Sequence, residues 1–244
     1  KGGVRKSTTL AMIFWTMRES GIEPIVVALD TNSALVDLIS VANVPMPEVY
    51  TWDLNNIADA RSTLPDLVSL SASTGRPMLM VLPGKAGESL GVETLVRSGA
   101  LRYLNLIGIA SIIQTELSMA GAIEAHMIIK PSKWALVEYG KRTVLSSEIT
   151  AALDALKPDD TNTIRLEELD PSEANQLAKK PPVPYSKLLQ YVDSQGISAS
   201  CWYTVAEFWR DCHPKLSKVL RKIAPETFAQ KDPVAAESKL EHNL

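Results

Sequence analysis

The sequence opens on Lys1-Gly2-Gly3-Val4-Arg5-Lys6-Ser7-Thr8-Thr9, a glycine pair followed by a lysine and a run of hydroxyls. A phosphate-cradling loop needs this layout. Small residues let backbone N–H groups converge on an anion, a lysine neutralises phosphate charge, and the hydroxyl after it can bind Mg²⁺. Leu10-Ala11-Met12-Ile13-Phe14-Trp15 follows directly and reads as a helix. The N-terminus of such a helix adds partial positive charge where the anion would sit. A second polar cluster, Asp30-Thr31-Asn32-Ser33, closes the apolar run from Pro24 to Leu29. The carboxyl end of a buried strand is where α/β sheets place their ligands, so Asp30 is a candidate site residue. An Asx-type turn after a strand is the competing reading of the same residues.

The elements that must position these residues alternate along the chain. A helix is expected from about Ser7 to Ser20, with Leu10, Ile13, Phe14 and Met17 on one buried face and Gly21 as its C-terminal stop. Pro24–Leu29 reads as a strand buried on both faces. Prolines 45 and 47 break the chain, and Asn55 to Leu70 reads as helical in part around Pro65. Further strands are expected at Pro77–Leu82, Leu104–Ala110, Lys133–Tyr139 and Thr163–Leu166. Helices are expected at Glu88–Ser98, at Ile112–His126 with an interruption at Gly121, and at Val144–Leu156. This alternation predicts an α/β fold, a mainly parallel sheet with helices on both faces. The composition shifts at Lys179-Lys180-Pro181-Pro182-Val183-Pro184. We therefore expect an α/β core over 1–180 and a helical segment over 181–244 that packs on it. That segment would hold helices at Tyr185–Ser194 and at Tyr203–Ile223, the latter broken at Pro214, and end in a polar tail.

The opening loop resembles the deviant Walker A motif of the ParA/MinD family of P-loop ATPases, written KGGxxK[ST] and most often met as KGGVGKST. It departs from that common form at Arg5. The resemblance implies a doubly wound P-loop fold, ATP or ADP with Mg²⁺ as cofactors, and a nucleotide-sandwich homodimer. Carried onto this sequence, Gly2, Gly3, Val4, Arg5, Lys6, Ser7 and Thr8 would hold the nucleotide. Lys1 would reach the partner's nucleotide in trans, and Lys6 would neutralise phosphate charge. Ser7 and Asp30 would bind the metal, and Thr8 would touch the α-phosphate. Lys1, Lys6 and Asp30 would be the catalytic set. The family's D-x-D motif becomes Asp30-Thr31-Asn32, and a carboxamide at 32 can hold a water but cannot accept a proton. The family's Walker B strand ends in an aspartate; Leu82 stands there, followed by Pro83-Gly84-Lys85-Ala86-Gly87-Glu88. The strand whose end recognises the base through an asparagine carries Glu138 and Tyr139 instead, and Tyr139 either packs or stacks on an adenine. A P-loop leaves the end of a buried strand, so the fold is expected with its first strand missing from this chain.

Length, composition and charge bound the rest. A chain of 244 residues with 45% apolar and 22% charged residues suits one large α/β domain with a substantial core. A net charge of −3 gives no global attraction to nucleic acid or anionic membrane. No apolar run approaches the ~18–20 residues that span a bilayer, and a cytoplasmic protein without membrane contact is expected. The two cysteines, Cys201 and Cys212, have no metal-ligand spacing and are read as free thiols. The three histidines, His126, His213 and His242, are scattered and form no ligand set. Lys215, Lys218, Arg221 and Lys222 interleave with Leu216, Val219, Leu220 and Ile223. This is a core-facing helix with a solvated charged face, a non-specific DNA contact through phosphates or, least favoured, an amphipathic helix on a membrane surface.

Two functional readings follow. The first is a dimerising, ATP- and Mg²⁺-dependent ATPase of plasmid-partition or conjugal-transfer type, the latter akin to TraL-like accessories, with weak hydrolysis and an unidentified partner protein. The second is an inactive pseudo-ATPase scaffold that serves as a protein-interaction module, suggested by Arg5, Asn32 and Leu82.

Overall fold

The computed structural model describes residues 6–29, 39, 47–54, 56–82, 90–113, 115–140, 146–156, 162–167 and 199–229. Helix α1 (Lys6–Glu19) leads into strand β1 (Ile25–Ala28), then β2 (Val49–Thr51), α2 (Ile57–Thr74), β3 (Met78–Val81) and α3 (Leu90–Arg97). A 3₁₀ turn at Ala100–Tyr103 precedes β4 (Ile107–Ile113), α4 (Glu116–Ile129), β5 (Lys133–Tyr139), α5 (Ser147–Leu156) and β6 (Thr163–Leu166). Helices α6 (Ala199–Ile223) and α7 (Pro225–Ala229) complete the described chain. Local chemistry sets several of these ends. The Asn56 side chain accepts from Ala58 N at 2.9 Å to open α2, and Gly75 closes it at φ 59°, where a side chain would be strained. Thr115 caps α4 in the same way by accepting from Ser118 N.

The strands form two three-stranded sheets, ordered β2-β1-β3 and β4-β5-β6, and every pairing is parallel. Alternation along each strand sends side chains to two faces. On one face, Val26 of β1, Val81 of β3, Val137 of β5 and Ile164 of β6 join α1 and α6 in a single buried cluster. On the other, Ile25, Val27 and Leu29 pack against Leu67 of α2 and Val92 of α3. Ile112, Trp134 and Leu136 meet Met119 of α4 on that same side of the second sheet, with Ile149 of α5 alongside. Helices therefore cover both faces of a wholly parallel α/β framework, as the alternation of apolar runs predicted.

Several expectations need correction. Helix α1 is buried from Ala11 through Met17 on all sides, not along one face, because α6 closes over the side that turns away from the sheets. Gly121 does not interrupt α4, and Pro65 lies within a continuous α2. Pro214 does not break α6 either. Buried Val205, Trp209 and Cys212 before it and Leu216, Val219 and Ile223 after it form one stripe against α1, and that packing outweighs the proline's lost hydrogen bond. Strand β4 begins at Ile107 and runs to Ile113, three residues later at each end than expected, and β2 was not anticipated. The expected helix at 185–194 and the connection at 179–184 lie outside the described residues.

Candidate functional site

The first turn of α1 rests on the carboxyl ends of three strands. The Lys6 ammonium donates to the Leu82 carbonyl just past β3, with Nζ 2.8 Å from the oxygen. One turn further on, Thr9 Oγ1 donates to Ser111 Oγ of β4 at 3.0 Å and shares a hydrogen bond with the Tyr139 hydroxyl of β5 at 2.8 Å. Thr9 and Tyr139 are both 2% exposed, so this hydroxyl cluster is an internal fastening for the helix. Ser7 and Thr8 stay partly exposed above it. The first turn of α1 carries no acidic residue, so no side chain there competes with an anion for the helix N-terminus.

The position of this turn follows from how the chain winds. From β2 onward the connections move one way across the sheets, through α2, α3, α4 and α5, all on one face. From β1 to β2 the chain moves the opposite way. Ile39, the only described residue between Leu29 and Pro47, is buried on the α1 face. The ends of β1 and β3, which are hydrogen-bonded neighbours, thus send the chain in opposite directions, and open α/β sheets bind ligands in the crevice that such a reversal creates. Lys6 and Leu82 meet at this point, beside Leu29, whose N–H donates to the Val81 carbonyl at 3.1 Å.

Of the residues expected to hold nucleotide, Lys6, Ser7 and Thr8 are brought together at the crevice. Lys1, Gly2, Gly3, Val4 and Arg5 lie outside the described residues, as do Asp30, Thr31, Asn32, Pro83 to Gly87 and Glu88. For phosphate, the residues present fit: a lysine and two hydroxyls at the start of a 14-residue helix, over a strand-end crevice. For Mg²⁺, Ser7 is the one described member of the Ser7–Asp30 pair, and Leu82 brings a carbonyl and an isobutyl group to the strand end where a carboxylate was expected. Among the described residues no group of three or more His, Cys, Asp or Glu side chains could hold a metal ion.

The strand end expected to face a base is otherwise engaged. Tyr139 packs in the core with its hydroxyl on Thr9, which excludes the stacking role considered for it. Glu138 is 7% exposed and accepts from Arg165 Nε of β6 at 3.1 Å, across the β5–β6 pairing. On α6, Leu216, Val219, Leu220 and Ile223 are buried in the core with α1, so this apolar face is already covered. Lys215 spends its charge on Asp211, and the Arg221 guanidinium lies 5.2 Å from the Phe228 ring centroid. Lys218 and Lys222 are exposed. Among the described residues no helix is long and apolar enough to cross a membrane.

Sequence reasoning missed Thr9, Ser111 and the Leu82 carbonyl. A third consecutive hydroxyl after Lys6 was a signal for Thr9. A backbone carbonyl leaves none. Fold and site together define an open, parallel α/β protein with a basic, hydroxyl-rich helix start at its strand-end crevice. No protein-family model and no curated protein sequence matches this chain.

Proposed function

We propose that the chain is a ParA/MinD-like nucleotide-binding protein of the P-loop class that takes Mg²⁺-ATP or ADP at the start of α1. The observation that carries this reading is the placement of Lys6 over the end of β3, 2.8 Å from the Leu82 carbonyl, at the point where the chain reverses. There the Lys6 ammonium would donate to phosphate oxygens, a charge-assisted and stronger partner than a neutral carbonyl. Ser7 would supply its hydroxyl to the metal together with Asp30, and Thr8 would donate to the α-phosphate. Lys1, in the homodimer that the resemblance implies, would reach the partner's nucleotide. Bound Mg²⁺ would offset charge on the phosphates. Phosphoryl transfer to water is catalysed almost entirely by positioning and charge stabilisation, and a side-chain carboxylate beside the metal water is one of the usual parts. With Leu82 at that position and Asn32 unable to accept a proton, turnover is expected to be weak relative to binding. A cellular role in plasmid partition or conjugal transfer, with a further protein partner, fits this class.

A second reading, a scaffold that binds partners without hydrolysing nucleotide, is favoured by Leu82. The two differ in one experiment. Calorimetric titration of ATP with and without Mg²⁺, beside a Lys6→Ala control, gives a saturable heat lost in the control if the site is live; no heat in either protein sinks the nucleotide reading. Restoring Leu82→Asp together with Arg5→Gly, and seeing phosphate release appear, would identify a lapsed ATPase. Non-specific DNA contact through Lys215, Lys218, Arg221 and Lys222 would appear as a salt-sensitive gel shift that a Lys218/Arg221/Lys222→Ala variant abolishes.

A further inference from the structure

Helix α4 is apolar on every side. Of its 14 residues only Glu116, Ser118, Glu124 and His126 are polar, and it carries no lysine or arginine. A helix of that composition belongs between two packing layers. One layer is the second sheet, where Met119 packs with Ile112, Trp134 and Leu136. The opposite side of the helix faces out. There Leu117 is 86% exposed and Met127 61%, with Ala120, Gly121 and Glu124 exposed between them. The spacing 117, 120, 121, 124, 127 makes one continuous helical stripe, unlike the single surface hydrophobes that need no explanation.

This stripe carries both halves of a packing contact. Beside it a groove of about 520 Å³ runs between α4 and α5, walled on the α5 side by Glu148, Ile149 and Ala152. Ala120, Ile123, Glu124 and Met127 belong to the α4 wall. Positions i, i+3, i+4 and i+7 are the four corners of the hole that receives a side chain from a facing helix. Leu117 projects from the same helix about two turns before the centre of that hole. Two antiparallel copies of α4 therefore set each Leu117 in the other's hole when their two-fold axis passes at Ala120 and Gly121, the midpoint. Such an interface uses one patch on both copies. The smallest side chains of the stripe lie on the axis, and a Cβ added at Gly121 meets nothing within 4 Å, so the helices can approach to about 8 Å.

Charge does not oppose this pairing. The two Glu124 residues would be offset by about 10 Å along the helices, beyond the screening length of about 8 Å at physiological ionic strength. A basic helix of another protein would answer Glu124 and Glu148 but would leave Leu117 without a hole to fill.

We propose that the outer face of α4 is a dimerisation surface, on which a second copy of this chain packs its own α4 antiparallel about an axis at Ala120–Gly121. No residue of the proposed nucleotide site belongs to this face. The pairing thus differs from a nucleotide-sandwich dimer, and it holds whether or not nucleotide binds.

Sedimentation of the nucleotide-free protein over about 1–300 µM should show a reversible monomer–dimer equilibrium, dissociating in the micromolar range as suits a small interface. Leu117→Asp, at a position too exposed to be needed for folding, should weaken it about tenfold or more with an unchanged circular dichroism spectrum. Cysteines in a Cys201→Ser background read the register. Gly121→Cys, on the axis, should form a disulfide between copies, which needs Cα atoms within about 7 Å. Met127→Cys, whose two copies would stand about 20 Å apart, should not. A monomer at every concentration overturns the proposal and leaves the groove to a different protein or to another part of this chain. A dimer indifferent to Leu117→Asp, or one cross-linked as readily through Met127→Cys as through Gly121→Cys, overturns it equally.

Discussion

Replacing glycine by alanine should have opposite effects at two positions of this fold, and the contrast tests how tightly the second sheet is packed. A Cβ built on Gly108 of β4 lies 2.8 Å from Pro131 Cγ, 3.3 Å from Pro131 Cβ and 3.4 Å from Trp134 Cβ. The proline ring cannot fold away, and its turn is tethered: Ser132 N donates to the Leu106 carbonyl at 3.0 Å and Ser132 Oγ to the same oxygen at 2.8 Å. Overpacking of this kind costs about 1–3 kcal/mol. The reduced freedom of the unfolded chain returns about 0.4–1 kcal/mol. Gly108→Ala should therefore lose about 1–2 kcal/mol, or a few degrees in Tm for a domain of this size. Gly121, in the middle of α4, meets nothing within 4 Å, so Gly121→Ala should gain up to about 1 kcal/mol from helix propensity. Urea unfolding with unchanged m-values is the assay. Adding Pro131→Ala should shrink the Gly108→Ala cost, since the two share one contact. A neutral or stabilising Gly108→Ala, or a cost indifferent to Pro131→Ala, would refute the packing argument.

Other consequences are as accessible. Thr9→Val and Tyr139→Phe remove opposite ends of one buried hydrogen bond, so a double-mutant cycle should show coupling of about 0.5–1.5 kcal/mol; strict additivity would mean the bond does not form. His126 has a buried Nδ1 without a hydrogen-bond partner, its ring is 4.5 Å from that of Trp134, and burial holds its pKa below 6.5. The folded state therefore binds that proton less readily than the unfolded chain, and stability should fall as pH drops through 6.5 toward the depressed value. His126→Phe should flatten the decline in urea midpoint between about pH 7.5 and 5.5, and an imidazole titrating at or above 6.5 by NMR would contradict the assignment. Cys212 is fully buried, and burial pushes its thiol far up. In a Cys201→Ser background it should react with a disulfide reagent only at the rate of unfolding; immediate labelling of the native protein would place it elsewhere.

The framework was legible because it rests on periodicity. Short continuous apolar runs such as Ile25–Ala28 and Trp134–Val137 read as strands buried on both faces, and a parallel sheet was expected from them. Gly121 and Pro214 misled because local propensity is a weak prior, and both sit inside continuous helices that pack on their neighbours. The candidate site was suggested by composition, and its geometry was not. Lys6, Ser7 and Thr8 suggest by type the phosphate loop proposed above, yet nothing in the sequence says that Lys6 rests on a carbonyl at residue 82 or that Thr9 is fastened to β4 and β5. Contacts of that kind depend on which strand ends the helix spans, and that is a property of topology.

The nucleotide reading stands or falls on Lys6. Titration of Mg²⁺-ATP into the protein by calorimetry should give saturable binding, and Lys6→Ala, with its fold verified by circular dichroism, should weaken it about tenfold or more, as expected for loss of a charge-assisted contact. Wild-type binding that survives Lys6→Ala unchanged, or no binding by either protein, would contradict the account.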